Sequence, residues 1–126
     1  MVRTIRIGAG TVEVMAILND SATADAVWAA LPLDGYVNTW GDEVYFSIDV
    51  RLPLDDPHEV VEMGDLGYWP QGPAFCIFFG PTPMSTGNEI RPASAVNVFG
   101  RVAGDPRVLT QVSSGARIQV HQSAVE

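Results

Sequence analysis

Residues 64–83 read Gly-Asp-Leu-Gly-Tyr-Trp-Pro-Gln-Gly-Pro-Ala-Phe-Cys-Ile-Phe-Phe-Gly-Pro-Thr-Pro. Within this stretch, 74–79 is an uninterrupted apolar run of strand length, which predicts a central strand buried on both faces. The preceding segment, 64–73, is dense in glycine, proline and aromatics and reads as a constrained loop. The following one, 80–92, reads as a second long loop. A buried strand framed by turn-rich segments makes the chain mainly β, and the flanking sequence extends that reading.

Toward the N-terminus, residues 2–7 alternate, with Val2, Thr4 and Arg6 on one face and Arg3, Ile5 and Ile7 on the other. Gly8-Ala9-Gly10 then turns into 11–18, where Val12, Val14, Ala16 and Leu18 share a face, so a hairpin is expected. Asn19-Asp20-Ser21 offers side-chain oxygens to the free N–H groups of a first helical turn. Ala24, Val27, Trp28 and Leu31 keep the spacing of one helix face until Pro32 stops it, predicting a helix over 22–31 across the open end of a sheet or barrel, with Trp28 in the core. Strands are expected at 36–40 and 43–50, turned at Gly41-Asp42; in the second, Val44, Phe46 and Ile48 oppose Tyr45, Ser47 and Asp49. The polar stretch 51–65 reads as a loop with a short strand at 59–63. A strand at 93–102, a short helix at 105–112 with Asp105 as cap and Pro106 at its first position, and a last strand at 116–120 complete about eight strands and two helices. One domain over 1–126 is the expectation, since roughly 100–200 residues make a domain.

Composition removes several functions. Fifteen carboxylates against seven basic residues leave a formal charge of −8, and the seven are all arginines scattered along the chain. Phosphate backbones and anionic lipid surfaces are repelled, so neither nucleic acid nor membrane is an expected partner. Without lysine, P-loop nucleotidases and Schiff-base pyridoxal phosphate enzymes are excluded. Cys76 is the only cysteine, which rules out an intrachain disulfide and any CxxC motif. No secretory leader pattern and no membrane-length apolar run appears, so a cytoplasmic location is expected.

The segment Val98-Phe99-Gly100-Arg101-Val102, followed by Asp105 and by Val108, Leu109 and Val112, resembles the close of the cyclophilin fold. The 74–79 run is similar to that fold's phenylalanine-rich central strand. Residues 41–47, 64–83 and 97–102 together resemble a family of small prokaryotic cyclophilin-like proteins of unassigned function. The resemblance implies a closed, eight-stranded antiparallel β-barrel, capped by two short helices, with a pocket on its outer face. It also marks two departures. Where the prolyl isomerases of the superfamily carry a catalytic arginine, this chain reads VYFSIDVRLP, with Arg51 several residues late; where they carry a pocket histidine, it has Val96. That catalysis needs a cation beside the twisted amide, so no catalytic residue is assigned.

The candidate ligand pocket comprises Tyr45, Tyr68, Trp69, Gln71, Phe75, Arg91 and Asn97. Tyr68, Trp69 and Gln71 offer aromatic faces and an amide between rigid prolines and glycines, a suitable wall for an apolar or proline-like group. Arg91, beside Pro92, could grip a carboxylate or peptide carbonyl through two hydrogen bonds, or pair with Glu89. His58, among Asp55, Asp56, Glu59 and Glu62, follows no ligand spacing, and His121 lies near the C-terminus, so neither metal nor cofactor is expected. Cys76 should be an inert buried thiol, and no serine sits in a GxSxG elbow. Three functions follow in order: binding of a peptide segment or small molecule, a divergent peptidyl-prolyl cis-trans isomerase in which Arg91 or another donor replaces the lost arginine, and homo-oligomer or partner contacts through an aromatic surface.

Overall fold

The alternation in the first eighteen residues folds as period two dictates. In the computed structural model, which describes residues 2–125, β1 (Arg3–Ala9) and β2 (Val12–Leu18) pair antiparallel across a turn at Gly10, whose φ of 60° favours glycine. Met1 and Glu126, the ends of the expected 1–126 domain, lie outside the described residues. Ile5, Ile7 and Ala9 from β1 and Val12, Val14, Ala16 and Leu18 from β2 are buried on the inner face. Ser21 caps α1 (Ala22–Ala30) by accepting a hydrogen bond from Ala24 N at 3.0 Å. Trp28 is only partly buried at the edge of the core, with the Arg3 guanidinium 5.7 Å from its ring centre.

The remaining strands are β3 (Leu33–Tyr36), β4 (Asn38–Thr39), β5 (Glu43–Ser47), β6 (Pro57–His58), β7 (Asp65–Trp69), β8 (Ala74–Phe78), β9 (Val96–Ala103) and β10 (Arg117–Val125). They form one antiparallel sheet in the order β3-β10-β1-β2-β9-β7-β8-β5-β4, with β6 paired to β9 off this path. The expectation of a closed, eight-stranded barrel is corrected on both counts: the sheet has 10 strands, and its hydrogen-bonded path has two ends, β3 and β4. Those ends are consecutive in the chain. Residues 33–36 pair with β10, residues 38–39 pair with β5, and Val37 stands between, so neither half continues along one ladder. Val37 N donates to Ala116 O at 2.8 Å and its carbonyl accepts from Gly115 N at 2.8 Å, so the bend is itself satisfied.

Other boundaries shift for local reasons. The segment expected as a loop, 64–73, contains β7, followed by a turn. Gly67 hides the strand in the sequence, yet the packing requires it: a Cβ there would lie 2.9 Å from the Phe78 ring and 3.0 Å from Val96. The strand expected at 59–63 reduces to a single bridge between Val61 and Ile90, while pairing falls on Pro57–His58. The last strand runs on to Val125, and the helix before it is a 3-10 segment, Pro106–Gln111, capped by Asp105. Among the described residues no helix is long and apolar enough to cross a membrane.

β8 is buried along its whole length, as its composition predicts, and it serves two packed clusters. Phe75 and Ile77 point into the main core, where Phe75 lies between Phe46 and Phe99 with ring centres 5.2 and 5.0 Å away. Ala74, Cys76 and Phe78 point to the opposite face, joining Val61, Ile90 and Val96 in a smaller cluster under the loops. Replacing the central ring, Phe75→Ala, is expected to lower stability by about 3–5 kcal/mol in urea denaturation. A loss below about 1 kcal/mol would show that the two aromatic contacts do not organise this core.

Candidate functional site

The outer cluster is where the fold opens a cleft. β5 and β8 pair with Glu43 opposite Phe78 and Tyr45 opposite Cys76, and the pleat puts all four side chains on the outer face. Trp69 from β7 and Val96 from β9 complete that wall. Trp40 stands at the start of the β4–β5 turn, where its N–H donates to Glu43 O at 3.0 Å. Gly41 makes this turn possible at φ 59°, and a Cβ there would come 2.8 Å from Pro83. Two further bonds fasten the turn to the end of β8 and the next loop: Asp42 N to Pro81 O at 3.0 Å, and Phe79 N to Asp42 O at 2.9 Å.

The loop over 80–92 is held by its own short side chains. Ser85 Oγ accepts from Thr82 N at 3.0 Å and from Arg91 N at 3.1 Å, while the Thr82 hydroxyl donates to the Arg91 carbonyl. This delivers Pro92 and Ala93 to the cleft rim. The Trp69 indole N–H donates to Ser94 Oγ at 2.7 Å, which fixes the orientation of that ring. The enclosed volume is about 210 Å³.

One acidic side chain lines this largely apolar space. Glu43 is 6% exposed, and burial pushes its pKa up to about 7, a rise that the hydrogen bond from the Cys76 thiol partly counters. Burial pushes the Cys76 thiol well above its ordinary value, and the neighbouring Glu43 charge adds to the effect. The folded state therefore holds a proton on Glu43 between about pH 4.5 and 7 that the unfolded chain has released, so stability falls as pH rises through that window. The wild-type protein is expected to lose up to about 3 kcal/mol relative to Glu43→Gln between pH 5 and 8, read as the difference between their urea denaturation curves. Groups common to both proteins cancel from this difference, and an equal pH dependence of the two would remove Glu43 as its source. Cys76 should react with thiol reagents at pH 8 only at the rate of unfolding; fast labelling of the native protein would show an accessible thiolate.

Of the residues singled out from sequence, Tyr45 and Trp69 line the cleft. Tyr68 does not: it points into the main core at 1% exposure, its hydroxyl donating to Val50 O at 2.7 Å and accepting from Leu52 N at 3.0 Å. Phe75 is likewise inside the main core. Asn97 is buried as a structural tie, its amide donating to Thr23 Oγ1 and Pro53 O at 3.1 Å each and its oxygen accepting from Asp55 N at 2.8 Å. Gln71 is exposed in the turn after β7. Arg91 borders a neighbouring depression with Glu59 and Met84, and its Nε lies 3.4 Å from Glu89. The Glu89 carboxyl is held down to about 2 by hydrogen bonds from Thr86 and Gly87.

Trp40, Glu43, Cys76, Phe78, Pro92, Ala93 and Val96 are cleft residues that the sequence did not single out as such. Glu43 carried one usable signal, a place two residues before Tyr45 on the same strand face. His58 is exposed, 3.8 Å from Asp56, and among the described residues no group of three His, Cys, Asp or Glu side chains is placed to hold a metal.

A family model described as cyclophilin-like matches residues 3–121. The chain is similar to the solution structure of a hypothetical protein from Archaeoglobus fulgidus, with 38% identity over 96% of this chain and 95% of that one and a TM-score of 0.81. No curated protein matches.

Proposed function

The chain belongs to the cyclophilin-like family, and from that premise we propose that it binds a small molecule, or one side chain of a peptide segment, in the outer-face cleft. The observation that carries this reading is a concavity of about 210 Å³ walled by Trp40, Tyr45 and Trp69 with one buried carboxyl in it. Apolar walls with a few placed polar groups are the usual make-up of a ligand site. The volume falls below the roughly 300–1,000 Å³ of sites for drug-sized ligands, which favours a single chemical group as occupant. Walls already fixed by the Trp69–Ser94 bond and the Gly41 turn lower the ordering cost of binding.

A divergent prolyl isomerase finds less support. The ionisable side chains lining the cleft are Glu43, Tyr45 and Cys76, whereas that catalysis calls for a cation near the amide. Arg91 pairs with Glu89 in the adjoining depression, and Arg51 is exposed beside Asp49.

A fragment screen followed by the indole N–H signals in NMR tests the binding reading. Hits are expected to shift Trp40 and Trp69 while leaving Trp28 unmoved, and Trp69→Ala should weaken them by about tenfold or more, equivalent to roughly 1.4 kcal/mol. Hits that map away from both indoles, or a blank screen, would overturn it.

A further inference from the structure

The cleft sets four aromatic rings, those of Trp40, Tyr45, Trp69 and Phe78, around one buried acid, and that combination selects for charge. Aromatic faces are the negative side of the ring quadrupole and attract a cation held within about 6 Å. Glu43 adds a carboxyl 6% exposed, and no basic side chain lines the cleft among the described residues. The charge of −8 on the whole chain draws cations toward its surface and disfavours anions. We propose that the cleft is a receptor for an alkylated ammonium group, seated among Trp40, Tyr45 and Trp69 with the Glu43 carboxylate as its counter-ion. This rests on the reading of the cleft as a ligand site and names the chemical class of its occupant.

The degree of alkylation follows from the donors and acceptors. A primary ammonium brings three N–H donors, and each needs an acceptor when water is removed. The lining side chains supply the Glu43 carboxylate, the Tyr45 hydroxyl and the weakly accepting Cys76 sulfur as acceptors; the remainder is ring and hydrocarbon, apart from the indole N–H groups of Trp40 and Trp69, which only donate and of which the second is engaged by Ser94. A quaternary or tertiary ammonium spreads its charge over methyl groups and carries at most one donor, so ring faces and a single carboxylate satisfy it. A volume of about 210 Å³ accommodates such a headgroup and leaves the rest of the molecule outside.

The competing occupant is a neutral polar ligand that accepts a hydrogen bond from protonated Glu43, and the two differ in the sign of their pH dependence. A cation requires the carboxylate, so its binding releases the Glu43 proton and strengthens as pH rises; a neutral acceptor requires the acid and weakens. The titratable groups facing Glu43 are Cys76 from β8 and Tyr45 from its own strand. Trp69, Val96, Pro92 and Ala93, from β7, β9 and the loop, bring none. Cys76 stays a thiol through the range tested, its pKa lying well above 9.0.

Choline and its neutral isostere 3,3-dimethylbutan-1-ol, titrated against the wild-type protein and Glu43→Gln at pH 6 and pH 8, test the proposal through the three indole signals. Choline is expected to shift Trp40 and Trp69 but not Trp28, to bind about tenfold tighter at pH 8 than at pH 6, and to lose at least about tenfold in Glu43→Gln. The alcohol should bind more weakly than choline at pH 8. If the alcohol binds as well as choline, or if choline affinity falls with rising pH, the cation is wrong while the cleft remains a ligand site. Silence of the wild-type indoles toward choline also overturns the cation. In that case the fragment screen separately decides the cleft. The wild-type pH series stands without the variant, should Glu43→Gln fail to fold.

Discussion

The bend at Val37 is the constraint on which the rest of the sheet depends. A nine-strand antiparallel path that stopped at two free edges would expose two rows of unpaired backbone groups, the usual template for unwanted association. Here one seven-residue stretch, 33–39, supplies both end strands, so the path is tethered covalently where hydrogen bonds do not close it. The Val37 side chain is 2% exposed and its N–H and carbonyl are both taken by the 115–116 turn, which leaves the bend little freedom to move. Because β4 continues directly into Trp40 and the Gly41 turn, the same bend sets where β5 starts, and β5 carries Glu43 and Tyr45.

β8 shows how the main core and the cleft are one problem. Its alternate residues answer to different environments: Phe75 and Ile77 to a hydrocarbon interior, Cys76 and Phe78 to the floor beneath an acid. A slip of one residue in its pairing would exchange the two sets, placing a thiol among phenylalanines and turning Phe75 and Ile77 to the outer face. Such a strand is strongly specified in register, and that specification keeps the aromatic walls in place without any ligand present.

Much of this was legible in the sequence where period two was clean. Alternation in 2–7 and 11–18 and the apolar run 74–79 lead directly to β1, β2 and β8. β3 was missed because Leu-Asp-Gly-Tyr offers no alternation, and β7 because Gly67 and Asp65 interrupt its pattern. That second omission explains why Tyr68 was expected to share a wall with Trp69. Tyr68 and Trp69 are adjacent, and within a loop both can face one pocket; within a strand they must point to opposite faces, so only Trp69 reaches the cleft. Glu43 shares the strand face of Tyr45, but its burial was not legible, for a different reason. Its raised pKa arises from burial, under side chains of β8 and a loop about fifty residues away, and the residue types at 42–44 do not announce that cover.

Gly67 also has a meaning in terms of shape. Phe78 and Val96 settle onto the backbone at that position because no side chain lifts them, so the floor of the concavity sits as low as the sheet allows. The hollow therefore begins as missing volume inside the sheet, and the loops above only frame it. A site made in this way can exchange rim residues such as Pro92 and Ala93, and with them the part of a ligand that protrudes, while its depth stays constant.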